Sequence, residues 1–345
     1  MLSDFYGKIR IENLINVLKR ILLFIGVEMK RIFKRMAIIV SVVMAILVLV
    51  IFTSYMNHQI QLSKEDEQFI PTGEVVEVNG HHMHVHIEGE GEETLVFMSG
   101  GGTSSPVLDF KSLYSLLSDT YKIVVVEKAG YGFSEVTDAD RDIDTILSET
   151  REALLKSGVE GPYILFPHSM SGIEALYWAQ SFPSEVKAII GLDMAVPAAY
   201  ENFDINMPLI RLGGFAAYTG LTRWIPNVSE SEAIKYGTLT DKEKELYKVI
   251  FYRRTSTKNM VKEVNHIKDN AEKVKKNGVP NVPMLLFSSN GQGTGWNEKT
   301  WVGFQKDFIV VQGNGELIEL DSSHYIHNIL YERIAEESKI FIKNL

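Results

Sequence analysis

The chain has 345 residues, 45% of them apolar and 23% charged, an ordinary globular composition with room for one sizeable catalytic domain and an appendage. The net charge is −9, yet residues 1 to 35 carry eight Lys/Arg against three Asp/Glu, a local surplus of five that leaves −14 on the remainder and argues against nucleic acid as a partner. No cysteine is present, which excludes disulfides, thiolate metal sites and a cysteine nucleophile without choosing a compartment.

In chain order, Ile11, Ile15, Leu18, Leu22 and Ile25 recur at helical spacing with Lys19, Arg20, Lys30 and Arg31 nearby. This suits a basic helix in a membrane interface, and equally a cytoplasmic helix that continues into a membrane span. From Met36 to Thr53 no residue is charged; with Ser54 to Met56 added, residues 36–56 are long enough as a helix to cross a bilayer core of about 30 Å. Lys30, Arg31, Lys34 and Arg35 precede the run, and Lys64, Glu65, Asp66 and Glu67 follow it. The positive-inside rule then predicts a cytoplasmic N-terminus and a large domain outside the cell membrane. A cleaved signal peptide fits less well, because the leading segment is long and no small-x-small site follows the run.

A polar linker is expected over 57–72, then a folded domain over 73–345. Val75 to Val78 and His82 to Ile87 read as strands around the turn Asn79-Gly80. His81, His82, His84 and His86 invite a metal reading, but no acidic or sulfur ligand is clustered with them, so exposed hairpin histidines and no metal or other cofactor are expected. Apolar runs follow at Thr94 to Met98, Lys122 to Val126, Tyr163 to Phe166, Val186 to Leu192 and Met284 to Phe287, with a short strand at Glu316 to Leu320. Helical patterns cover Lys111 to Leu117, Asp142 to Ser157, Gly172 to Gln180 and Tyr325 to Ile342. Continuous apolar strands alternating with helices predict an α/β fold whose mostly parallel sheet is covered on both faces. Between about 197 and 278 the strand signal gives way to helical segments such as Ser229 to Tyr236 and Asp241 to Tyr252, an insertion that reads as a cap. Its aromatic residues Tyr200, Phe203, Phe215, Tyr218, Trp224, Tyr236, Phe251 and Tyr252 are expected mostly in the cap core.

The segment Pro167-His168-Ser169-Met170-Ser171-Gly172 stands directly between a strand and a helix, which lifts Ser169 onto a sharp turn. A serine hydroxyl needs such exposure, a histidine base and backbone donors before it can act as a nucleophile. Positions two away on either side must be small; Ser171 satisfies this and Pro167 only partly, since proline lacks a strand donor.

Four local patterns together resemble the α/β-hydrolase superfamily over roughly Gly73 to the C-terminus. Met98-Ser99-Gly100-Gly101-Gly102-Thr103 is similar to the family's glycine loop after the third strand. Glu127-Lys128-Ala129-Gly130-Tyr131-Gly132-Phe133-Ser134 resembles its Asp-Arg-x-Gly-x-Gly-x-Ser turn. His168-Ser169-Met170-Ser171-Gly172 looks like the elbow His-Ser-Met-Gly-Gly, and Ser323-His324-Tyr325-Ile326-His327 resembles Gly-His-x-x-His.

The resemblance implies Ser169 as nucleophile and His324 as base, with His327 packing in a helix and His168 supporting the elbow. The family's acid most often follows the seventh strand, where Ser288-Ser289-Asn290-Gly291 has no carboxylate. Asp193, at the end of the sixth strand, matches a minority arrangement; a capping role is its alternative, Asp321 is a weaker rival, and Asn290 could orient the imidazole only as a neutral group. The oxyanion donors implied are the backbone N–H groups of Met170 and Gly101, with Gly102 as alternative. The expected activity is cleavage of an ester or related acyl bond through an acyl-enzyme, esterase- or lipase-like, on a small-molecule or lipid-like acyl substrate. Dehalogenases and epoxide hydrolases of this fold use an Asp nucleophile, against which Ser169 argues. Aminopeptidase-like cleavage comes second, the Gly-Gly-Pro-Gly loop of prolyl aminopeptidases being absent; a catalytically silent membrane-anchored binding protein is a further alternative.

Overall fold

The computed structural model describes the backbone of residues 2–345 and the side chains from residue 13 onward, so the side chain of Ile11 lies outside the described residues. Two compact units are present, Met1–Met56 and Asn57–Leu345. Helix α1 runs unbroken over Leu2–Glu65, so the basic stretch continues directly into the apolar one. By length and composition this helix can cross a bilayer.

The linker expected over 57–72 is corrected by α1, which stays helical through Glu65. Residues 57–65 contain no Gly or Pro, so polarity alone gives no reason to stop a helix. Within the second unit these turns are held by side chains. Arg223 donates to both carboxylate oxygens of Glu65, at 2.8 and 2.9 Å, and to Nδ1 of His58 at 2.9 Å. Arg253 donates to Asp66 at 2.9 Å and to the carbonyl of Leu62.

The second unit is built on eight strands: β1 Glu74–Val78, β2 His81–Glu88, β3 Thr94–Met98, β4 Lys122–Glu127, β5 Tyr163–Pro167, β6 Val186–Leu192, β7 Met284–Ser288 and β8 Gly315–Glu319. Their order is β1-β2-β4-β3-β5-β6-β7-β8. The first two pairings are antiparallel and the rest parallel. Between strands lie α2 Pro106–Tyr114, α3 Ile143–Lys156 and α4 Ser171–Ser181. Every residue of β3 and β5 is buried, as both faces of a central parallel strand must be. One face packs Leu165, Ile173 and Trp178 in a common core; the other packs Phe97, Phe110 and Phe166. Each such side chain contributes roughly 1.5–3 kcal/mol on full burial.

Five helices fill the stretch between β6 and β7: α5 Ala198–Glu201, α6 Met207–Tyr218, α7 Glu232–Tyr236, α8 Asp241–Arg254 and α9 Lys258–Lys276. Thr240 and Glu243 form a reciprocal cap on α8. After β7 come α10 Glu298–Gln312, α11 Ile326–Ile329 and α12 Tyr331–Lys343. Three expectations change here. Helix α2 begins five residues early because Pro106 occupies its first turn, where a missing N–H costs nothing. The last helical pattern is split at Leu330 (φ −117°, ψ 30°), and the separate turn α11 brings His327 and Asn328 to Asp109 of α2. Helix α10 was not among the expected elements, and it delivers Trp301 to the end of β6.

Candidate active site

Strand β5 ends on Pro167, and its absent N–H is not missed because the next residue continues the ladder: His168 N–H donates to Met98 O at 3.0 Å. Ser169 then takes a left-handed backbone (φ 55°), unusual for a residue with a Cβ and characteristic of a strained elbow. Ser171 anchors the turn through its hydroxyl, which reaches Met98 O at 2.7 Å and His168 O at 2.8 Å. Gly172 has no alternative, since a Cβ there would sit 2.2 Å from Ala195 O.

Asp193, directly after β6, is also left-handed (φ 50°) and fully buried. Its Oδ1 accepts the Ser289 N–H at 2.6 Å and the Trp301 indole N–H at 2.7 Å, while Oδ2 meets His324 Nδ1 at 2.5 Å. A carboxylate accepts, so Nδ1 of His324 carries the proton and Nε2 is left as an acceptor. Nε2 stands 2.8 Å from Ser169 Oγ. Three side chains separated widely in sequence thus form one hydrogen-bonded line. Of the alternatives, Asp321 pairs instead with Asn290 Nδ2 at 3.2 Å, and His327 Nε2 contacts Asp109 at 2.8 Å in the core. His168 Nε2 donates toward His324 O at 3.2 Å; burial, with His327 and His324 beside it, holds its imidazole well below the usual pKa.

The glycine loop packs on the elbow. A Cβ on Gly100 would approach the Ser169 Cβ to 2.8 Å. The Gly102 N–H points to the Tyr131 hydroxyl at 3.4 Å, whereas among the described residues the amides of Gly101 and Met170 have no protein acceptor. Both residues line, with Ser169 and His324, a cavity of about 360 Å³. Ile205, Ile210, Met260, Val264 and Ile267 supply apolar walls, and no Asp, Glu, Lys or Arg is among its lining residues. Of the cap aromatics, Tyr200 and Phe203 reach this cavity; Phe215, Tyr218, Trp224 and Tyr236 are exposed, contrary to the expectation of a cap core. Phe215 and Tyr218 belong to α6, which buries only Ala217.

Beneath the site, sequence reasoning missed two buried networks. Glu127 accepts the backbone N–H groups of Phe133 at 2.7 Å and Val107 at 3.3 Å, and Gly132 is obligatory because a Cβ would fall 1.9 Å from that carboxyl. Lys128 bridges Glu174 of α4, at 2.6 Å, and Glu263 of α9, whose other oxygen accepts from the Tyr131 hydroxyl at 2.6 Å. Burial opposes the charge of Lys128, but Glu174 and Glu263 outweigh it and raise its pKa. The one available signal was the pair of charges in Glu127-Lys128 of the turn motif.

The hairpin histidines are not uniformly exposed. His84 is fully buried, accepting the Gly73 N–H at 2.9 Å on Nε2 and so presenting a protonated Nδ1 to Glu127 at 3.0 Å. His81 is buried near Glu149, His86 is partly buried, and His82 stays at the surface beside Glu135. Burial follows from the antiparallel pairing of β2 with β4, which places His84 opposite Glu127.

A model of the alpha/beta hydrolase fold family matches residues 93–219. The uncharacterized protein YbdG of Bacillus subtilis (strain 168) is 38% identical over 324 residues, spanning 92% of this chain and 100% of that protein. Serine hydrolase BPHL of Mus musculus is 30% identical over 121 residues, 34% of this chain and 42% of that protein. Among solved structures, haloalkane dehalogenase DbeA from Bradyrhizobium elkani USDA94 matches with a TM-score of 0.61 at 14% identity, over 79% of this chain and 97% of its own, a likeness of fold alone.

Proposed function

The chain belongs to the α/β-hydrolase superfamily, and on that premise we propose that it is a serine hydrolase, anchored in the membrane by residues 36–56, that cleaves an ester or related acyl bond. The observation that carries this reading is the line Asp193, His324, Ser169 at the end of an apolar cavity. Ser169 Oγ attacks the acyl carbon as His324 Nε2 takes its proton, and the imidazolium that forms is stabilised by Asp193. The tetrahedral oxyanion falls to the N–H groups of Gly101 and Met170. Collapse expels the alcohol, which takes the proton from His324; water then repeats the sequence on the acyl-enzyme.

The absence of charged lining residues favours an uncharged acyl group over a peptide amino terminus, whose ammonium would need a carboxylate partner. Halide displacement is disfavoured by serine at the elbow, since dehalogenases of this fold attack with aspartate. The excess of basic residues before the span supports a cytoplasmic N-terminus and a catalytic unit outside. Fluorophosphonate labelling tests the chemistry: an adduct on Ser169, lost in Ser169→Ala, is expected. A folded protein that takes up no label would favour a silent binding role. Protease accessibility of residues 57–345 on intact cells tests the sidedness.

A further inference from the structure

A second cavity, of about 880 Å³, is lined by His58 and Leu62 at the end of α1 together with residues of α6, α8 and α9. Its charges are largely of one sign. Arg211, Arg253, Arg254, Lys258 and Lys262 line it against a single carboxylate, Asp138, although the chain after residue 35 is strongly acidic. Lys258 already holds Asp138 at 2.7 Å, and Arg253 holds Asp66 at 2.9 Å. The Nε of Arg253 is nevertheless buried without an acceptor, and Arg211 has no ion pair among the described residues. Burial lowers the pKa of Arg254 to about 10; Glu127 opposes the shift and neighbouring Arg253 adds to it. Phe215 forms an apolar wall, and Leu212, one turn before it on the same helix, is exposed.

Connectivity keeps one residue of its lining close to the apolar stretch. His58 follows Met56, the last residue of the apolar stretch, by two positions, a helical rise of about 3 Å. If residues 36–56 span a bilayer, on which reading this inference rests, His58 lies at the level of the lipid head groups. We propose that the cavity binds the anionic head group of a phospholipid from the membrane that holds the chain. The phosphate pairs with Arg211, Arg253 and Arg254, and the acyl chains lie along Phe215 and Leu212. Ser256 and Val261 line this cavity and the catalytic one alike, so a bound lipid is separated from Ser169 by a shared wall.

Because the chain has no cysteine, Leu212→Cys and Val43→Cys variants of the full protein each carry a single fluorophore. In nanodiscs of mixed phosphatidylcholine and phosphatidylglycerol, one lipid or the other is brominated on its acyl chains. The label at residue 212 is expected to be quenched preferentially by brominated phosphatidylglycerol, and the label at residue 43 by both lipids. Adding Arg211→Gln should lower that preference about fivefold, while Arg211→Lys should keep it. Soluble glycerol phosphate should leave it unchanged. Equal quenching by the two lipids, indifference to Arg211→Gln, or displacement by glycerol phosphate overturns the proposal with the span intact. Loss of quenching at residue 43 overturns the span and this inference with it, whereas fluorophosphonate labelling of Ser169 reports the hydrolase reading independently.

Discussion

The backbone N–H of Ser289 donates to Oδ1 of Asp193 at 2.6 Å. Ser289 follows β7, where the family most often carries its acid, and here that position supports a carboxylate presented by the neighbouring strand β6. Trp301 adds a second donor to the same oxygen, so Oδ1 is held twice and Oδ2 is left for His324.

Asp193→Asn should therefore lower kcat roughly 10⁴-fold, because an amide cannot fix the imidazole tautomer or stabilise its cation. Asp321→Asn, which disturbs only the contact to Asn290, should stay near wild type. Steady-state ester hydrolysis by both variants checks the assignment, and the reverse ranking would remove Asp193 from the mechanism.

Gly100→Ala should cost about 10²-fold in kcat, comparable to loss of an oxyanion donor, since its Cβ would press on Ser169 and displace the loop. Gly303→Ala is the matched control: a Cβ there meets nothing within 4 Å, and the helix should gain up to about 1 kcal/mol. Kinetics and thermal melts of the pair separate local collision from a general effect of adding a methyl group.

Lys128→Met should destabilise the fold by about 3–5 kcal/mol, leaving Glu174 and Glu263 buried without their shared cation. Glu174→Gln should be far milder. Burial raises the pKa of Glu174, Lys128 opposing and Glu263 adding to the shift. A carboxyl raised in the fold keeps its proton longer than in the unfolded chain, so its contribution is present at low pH and fades as pH rises through the folded value. Denaturant melts across pH should show that slope in the wild type and lose it in Glu174→Gln.

His168 gives the opposite sign. Its folded pKa is depressed well below 6.5, so the unfolded chain binds more protons and stability falls as pH drops beneath that value, by about 1.4 kcal/mol per unit. Thermal melts between neutral and mildly acidic pH should show a shallower decline in His168→Gln. An unchanged slope would mean that another group governs acid sensitivity.

Much of this was legible in the sequence because apolar runs and glycine turns are local signals. The elbow around Ser169 and the strands that carry it are written in consecutive residues, and Pro167 is harmless because it stands last in β5. Asp193 was harder, since its partners Ser289 and Trp301 come from 96 and 108 residues away. The hairpin histidines misled for a related reason: alternation tells which residues share a face, but whether that face is covered depends on β4 and Glu127. The continuation of α1 beyond the apolar run is hidden in the sequence because its polar composition resembles that of a linker, while Arg223 and Arg253, far along the chain, hold those turns.

The ion cluster joining Glu263 to Lys128 has a mechanical consequence. Helix α9 is pinned to the floor of the fold, and lifting it would strand charges in an apolar interior. Helix α6, with a single buried residue, has no buried ion pair among the described residues. Any breathing that admits a reactant must then be asymmetric, one flank yielding while the other stays fixed, and stiffening the loose flank should throttle entry while sparing the bond-breaking step.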